Sequence, residues 1–209
     1  MPRYGIAFAS VAIALLAAAA AAQHPAADLP LPQLSLSAEE RAAAVAAAVP
    51  YRPSLSAMDL LPGRERRLVV ASVDLAGNPE KDGTGRFALV TLYLYDGGIT
   101  VRRLVDVRNG EIVREATAEN DTPPLARAEA EFARALALAD PLLAERLSPW
   151  RDEVEVEALV SATSDAADPL YRHRVVSLLF RTPEGYLATV GEVLVDLTDG
   201  RVLMHPERR

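Results

Sequence analysis

Leu104-Val105-Asp106-Val107-Arg108-Asn109-Gly110-Glu111-Ile112-Val113 returns ninety positions later as Leu194-Val195-Asp196-Leu197-Thr198-Asp199-Gly200-Arg201-Val202-Leu203. Each copy reads apolar-apolar-Asp-apolar, then a polar pair with Gly, then an apolar edge. That is the end of one strand, a tight hairpin and the start of the next. A phrase recurring at a domain-sized interval predicts two copies of one α+β unit.

Working outward, Arg67 to Leu75 is β-branched and half apolar, and Asn78-Pro79, Asp82-Gly83 and Gly85 break it. Arg86 to Tyr95 reads as a long strand with Phe87, Leu89, Thr91, Tyr93 and Tyr95 on one face. Asp96-Gly97-Gly98 turns it into Ile99–Val107, and Arg108-Asn109-Gly110 turns that into Glu111–Thr117. Ahead of this meander, Ser37-x-x-Glu40 is a capping-box start for a helix that Pro50 stops. A second helix is expected near Thr122, with Pro123 in its first turn. Leu125, Glu129, Phe132, Leu136 and Ala139 follow one face at helical spacing. Asp140-Pro141 bends the chain into a short piece, Leu142 to Leu147, which Pro149 ends. Strands at Glu153–Ala162, Arg172–Arg181, Tyr186–Leu197 and Val202–Met204 make a second meander, and Arg86…Thr91-Leu92 aligns with Arg172…Ser177-Leu178. The expected fold is therefore α+β, each unit a helix packed on an antiparallel β meander, over residues 37–121 and 122–209.

The first residues predict a leader. One Arg precedes an apolar run from Ile6 to Ala22 with several Ala-x-Ala sites, so 1–22 reads as a secretory signal peptide cut after Ala21 or Ala22. The alternative is an uncleaved anchor, but the run is short and Ala-rich for a span of about 20 residues. Residues 23–36 carry Pro25, Pro30 and Pro32 and read as an extended tether. The expected location is periplasmic or secreted. With no cysteine there are no disulfides, so the fold must stand on its apolar core. A net charge of −7 argues against a nucleic-acid partner, which would require clustered Lys and Arg. No membrane partner is expected after cleavage, and a protein partner is.

The chain resembles the small non-catalytic N-terminal domains of copper amine oxidases, over about Ser37 to Leu203. Ser37-Ala38-Glu39-Glu40 is similar to that family's helix start, and Lys81 falls near its Pro-x-Lys region. Arg86-Phe87-Ala88-Leu89-Val90 is similar to its Arg-x-Ala-x-Val strand. Asp121-Thr122-Pro123-Pro124-Leu125, Glu129 and Ala139-Asp140-Pro141 match its Pro-Pro helix, and Val195-Asp196-Leu197 its Val-Asp-Leu. The resemblance implies tandem cystatin-like units and an exported binding or assembly module, accessory to an amine oxidase catalytic chain. It does not imply oxidase activity. That family's chemistry needs an Asn-Tyr-(Asp/Glu) motif and three copper-binding His, and none of the six Tyr here follows Asn.

Candidate chemistry reads as scaffold, so no catalytic, cofactor-binding or metal-ligating residue is assigned and no cofactor is expected. His24, His173 and His205 share no metal-ligand spacing. His173, between Arg172 and Arg174, reads as a strand histidine facing solvent or a sheet neighbour. Cleavage after Ala21 would leave Ala22-Gln23-His24, whose amine, backbone nitrogens and imidazole suit Cu(II); a loose tail is the simpler reading. Glu153, Glu155 and Glu157 read as a solvated strand face. Asp106 and Asp196 read as hairpin-bonding acids, and Trp150 as a core or inter-repeat residue. The alternative to the module is a periplasmic copper-binding protein or an enzyme whose site forms only in three dimensions.

Overall fold

Helix α1 (Ala38–Ala48) starts where Ser37 and Glu40 cap each other. Ser37 Oγ accepts from Glu40 N at 3.1 Å, and Glu40 Oε2 accepts from Ser37 N at 2.7 Å. Its buried stripe is only Ala44 and Ala48, so the helix lies close to the sheet it covers. The computed structural model describes residues 35–78 and 85–205, and these fall within one compact unit. The leader, the tether up to residue 34 and His24 lie outside the described residues.

Strands β1 (Leu68–Ala76), β2 (Phe87–Leu94), β3 (Ile99–Asp106) and β4 (Glu111–Glu119) form an antiparallel meander in chain order. Strand β2 is buried on both faces. Ala88, Val90 and Leu92 pack with Ala44, Ala48 and Val101 in the core beneath α1. Tyr93, followed by Tyr95 just past the strand, faces the other way and joins a second core with Phe132. A strand covered on both sides reads as a continuous apolar run rather than an alternation. Strand β4 is a free edge, exposed along nearly all its length, and Glu111, Arg114, Glu115 and Glu119 guard it against pairing.

Helix α2 spans Arg127–Ala139, later than the sequence led us to expect. Pro123 and Pro124 precede it, their carbonyls bonded elsewhere, to Arg174, and the helix is capped by Ala126, whose N donates to Glu129 Oε2 at 2.8 Å. Phe132 is buried and Leu136 packs at the core margin, whereas Ala139 is exposed. Asp140 Oδ1 then caps α3 (Pro141–Leu147), accepting from Leu142 N and Leu143 N. A turn of 3₁₀ helix, Ser148–Trp150, follows. Trp150 is half-buried and joins neither apolar core, so it is not the packing residue we anticipated.

The second sheet holds β5 (Glu155–Ser161), β6 (Val175–Thr182), β7 (Gly185–Tyr186), β8 (Glu192–Asp196) and β9 (Arg201–His205), in the order β5-β6-β8-β9, with β7 beside β6. The stretch Tyr186–Leu197 is thus not one strand. A 3₁₀ turn at Ala188–Val190 and Gly191, at φ 78°, interrupt it. Arg146 Nη1 from α3 holds this break by donating to Val190 O at 2.8 Å. Phe132, Leu143, Leu147, Val176, Leu178, Phe180, Val193 and Val195 share one core with Leu60, Val69, Tyr93 and Tyr95, so the two sheets contribute to common packing.

Candidate functional site

The largest fully buried side chain is Arg174, just before β6. Its Nε donates to Glu129 Oε1 at 2.8 Å and its Nη2 to Glu129 Oε2 at 2.9 Å, a bidentate pair. The remaining donors reach Pro123 O and Pro124 O, both at 2.9 Å. Glu129 is equally buried and also accepts from Tyr95 Oη at 2.7 Å. Arg174 lies over the Tyr93 ring, 4.8 Å from its centroid, and Arg67 lies 4.5 Å from that of Tyr95. Arg67 in turn donates to Leu60 O, Leu197 O and Thr198 O. Burial pushes Tyr93 up to about 12 and Tyr95 well above its ordinary range. Burial acts to lower Arg174, but the Glu129 hydrogen bonds and charge outweigh it and the net direction is up. The Arg174 guanidinium and the Glu129 carboxylate are thus bonded to one another and to groups of the fold around them.

The same bonds recur at α1. Arg86 Nε donates to Glu40 Oε1 at 2.5 Å, and Arg86 Nη2 to Glu40 Oε2 at 3.1 Å and to Ser35 O at 2.6 Å. Glu40 and Glu129 are both the third residue of their helix. Strand register agrees: Phe87 faces Asp106 as Val175 faces Asp196, and Val107 N bonds Arg86 O as Leu197 N bonds Arg174 O. Arg174, and not Arg172, is therefore the counterpart of Arg86. Arg172 instead adopts φ 65°, pairs with Glu119 and passes Tyr171. Its carbonyl lies so close to the first meander's turn that a Cβ on Gly98 would sit 2.7 Å from it.

Asp106 and Asp196 each bind their own hairpin. Asp106 Oδ1 accepts from Arg108 N at 3.0 Å; Asp196 Oδ1 accepts from Thr198 N at 3.0 Å and Asp199 N at 3.2 Å. Gly110 and Gly200 close the two turns at φ 72° and 67°, where a side chain would be strained. The second hairpin also gathers His173, whose Nδ1 lies 2.8 Å from Asp196 Oδ2 and 3.9 Å from Asp199 Oδ2. His173 precedes β6, half-buried, and faces this hairpin. His173, Asp196 and Asp199 are the one grouping among the described residues with ligand atoms close enough to hold a metal. Arg201, however, donates to Asp196 Oδ2 at 3.1 Å and pairs with Asp199 at 3.2 Å, so one guanidinium already engages both acids and offsets part of their charge. Spacing along the chain could not show this grouping, which depends on strand register.

Glu155 pairs with Arg181 and Glu157 accepts from Tyr186 Oη at 3.3 Å, both exposed, as a solvated face requires. Glu153 precedes the strand. An apolar cleft of about 260 Å³ runs along Leu178, Phe180, Tyr186 and Leu187. A polar cavity of about 280 Å³ lies at Arg52, Arg64 and Arg66. The chain matches no protein-family model, and no curated protein matches its sequence.

Proposed function

We propose that the protein is an exported, non-catalytic binding or assembly module of two related, cystatin-like α+β units, resembling the N-terminal domains of copper amine oxidases. The observation that carries this reading is the recurrence of one bond set, Arg86–Glu40 and Arg174–Glu129, joining a helix start to a strand in each half. Groups that could carry chemistry elsewhere are consumed here in positioning helices. The partner class is a protein, with an amine oxidase catalytic chain the first to test. Copper-loaded protein held in air should develop no quinone absorbance and release no peroxide from primary amines. Amine-dependent peroxide from homogeneous protein would overturn the reading. Export is checked by intact mass from the native host, which should give an N-terminus at Ala22 or Gln23; a retained Met1 in soluble cytoplasm contradicts it.

A second reading, a copper-binding protein, is favoured by His173, Asp196 and Asp199 alone. Its test is Cu(II) uptake lost on His173→Ala. Unchanged uptake removes it, and the ion pairs of Arg201 argue for that result.

A further inference from the structure

Most arginines among the described residues have a side-chain partner. Arg86, Arg102, Arg103, Arg108 and Arg174 are paired with acids, and Arg67 and Arg146 are held by carbonyls. Arg52, Arg64 and Arg66 form no ion pair, yet all three line the one cavity of about 280 Å³. The chain is built to bring them together. Ser54 N donates to Leu68 O and fixes the first loop against β1, while a turn closed by Arg64 N on Leu61 O returns the second segment beside it. Arg66 takes φ 56°, a left-handed conformation uncommon outside Gly, and lies over the Tyr51 ring at 5.6 Å. Non-Gly residues held in that region concentrate at ligand sites.

The cavity's two acids do not cancel the three cations. Asp59 accepts from Ser56 Oγ at 3.0 Å; that hydrogen bond, helped by the charge of Arg52, holds it below the usual carboxylate range, so it stays ionised and offsets one of the three cations. Glu65 makes no ion pair. The lining keeps a positive excess in a chain of net charge −7. Guanidinium forks match the geometry of a tetrahedral oxyanion better than any other side chain does. The volume sits just below the usual range of about 300–1,000 Å³ for small-molecule pockets, which is room enough for a phosphate group.

We infer that Arg52, Arg64 and Arg66 form a binding site for a phosphate-class oxyanion, independent of the module reading. The group can arrive free in solution or as the headgroup of an anionic phospholipid. The second source is brought in by Leu55 and by Met58 in the 3₁₀ turn Ala57–Leu60, exposed by 67% and 65%, where an acyl boundary would receive them.

Calorimetric titration with inorganic pyrophosphate and flotation with phosphatidylglycerol vesicles, against phosphatidylcholine vesicles, separate the sources. The full protein should bind at least one probe, and salt should weaken that binding. The variant Arg52→Gln/Arg64→Gln/Arg66→Gln should lose about tenfold or more in affinity, roughly 1.4 kcal/mol. Arg114→Gln/Arg151→Gln, which removes two other exposed arginines, should leave binding within about twofold, a difference too small for a loss of specific contacts. Pyrophosphate binding assigns the free source and binding only to anionic vesicles assigns the headgroup; either supports the site. Arg64→Gln alone, at a side chain without bonded partners, replaces the triple variant if that fails to fold. No binding to either probe, or equal loss in the control variant, overturns the inference.

Discussion

Glu129 has no exposed surface and four donors: Arg174 Nε and Nη2, Tyr95 Oη and Ala126 N. A buried carboxylate this fully satisfied is tolerable, whereas one stripped of a partner is not. The tyrosines around it carry a pH signature. Burial raises Tyr93 from an ordinary value of 10.0 to about 12, and raises Tyr95 well above its ordinary value. Between pH 10 and 12 the unfolded chain releases these protons while the folded chain keeps them. Stability is therefore full below pH 10 and falls as pH rises through this window. The acid side mirrors it. Hydrogen bonds from Arg86 lower Glu40, and those from Arg108 lower Asp106, so their contribution is present above their ordinary values of 4.5 and 3.8 and fades as pH falls below them. Urea midpoints across pH should show both shoulders. In Tyr93→Phe the alkaline shoulder should shrink, and an unchanged alkaline limb would refute the assignment.

At the scale of elements, α2 supplies Phe132, 3% exposed, to the larger core. Phe132→Ala should cost about 3–5 kcal/mol. Glu155→Ala, on the solvent face of β5 and paired only with exposed Arg181, should stay within about 0.5 kcal/mol. Equilibrium unfolding of both variants decides it, and the reverse order would mean that α2 presents another face. These assignments were legible because period and caps are local. Ser37 with Glu40, the hairpins at Gly110 and Gly200, and the apolar face of Phe132 and Leu136 each announce themselves within a few residues. What was hidden depends on distant partners. Pro123 suggests a helix start, but Arg174, some fifty residues on, takes its carbonyl and delays the helix to Arg127. Tyr186–Leu197 has strand composition throughout, and only the grip of Arg146 on Val190 O and the turn at Gly191 show the break. The His173 grouping and the cavity of unpaired arginines likewise follow from strand register and loop closure, which a linear reading does not contain.

In the whole molecule, Arg174 and Glu129 sit where the second sheet, α2 and the tyrosines of the first meander meet. These bonds tie the start of α2 to the second sheet and to the first meander. Arg67 extends the joint by reaching from the first meander to Leu197 O and Thr198 O of the second hairpin. One core drawing on both sheets should unfold in one cooperative transition. The most direct test is a double-mutant cycle by urea unfolding on Arg174→Met, Glu129→Gln and the pair together. Arg174→Met alone strands a buried carboxylate and should cost about 3–5 kcal/mol. Adding Glu129→Gln removes that charge while keeping acceptors for Tyr95 Oη and Ala126 N, so the double variant should be more stable than Arg174→Met. An Arg174→Met protein within about 0.5 kcal/mol of wild type, the range of an ordinary surface change, would contradict the account.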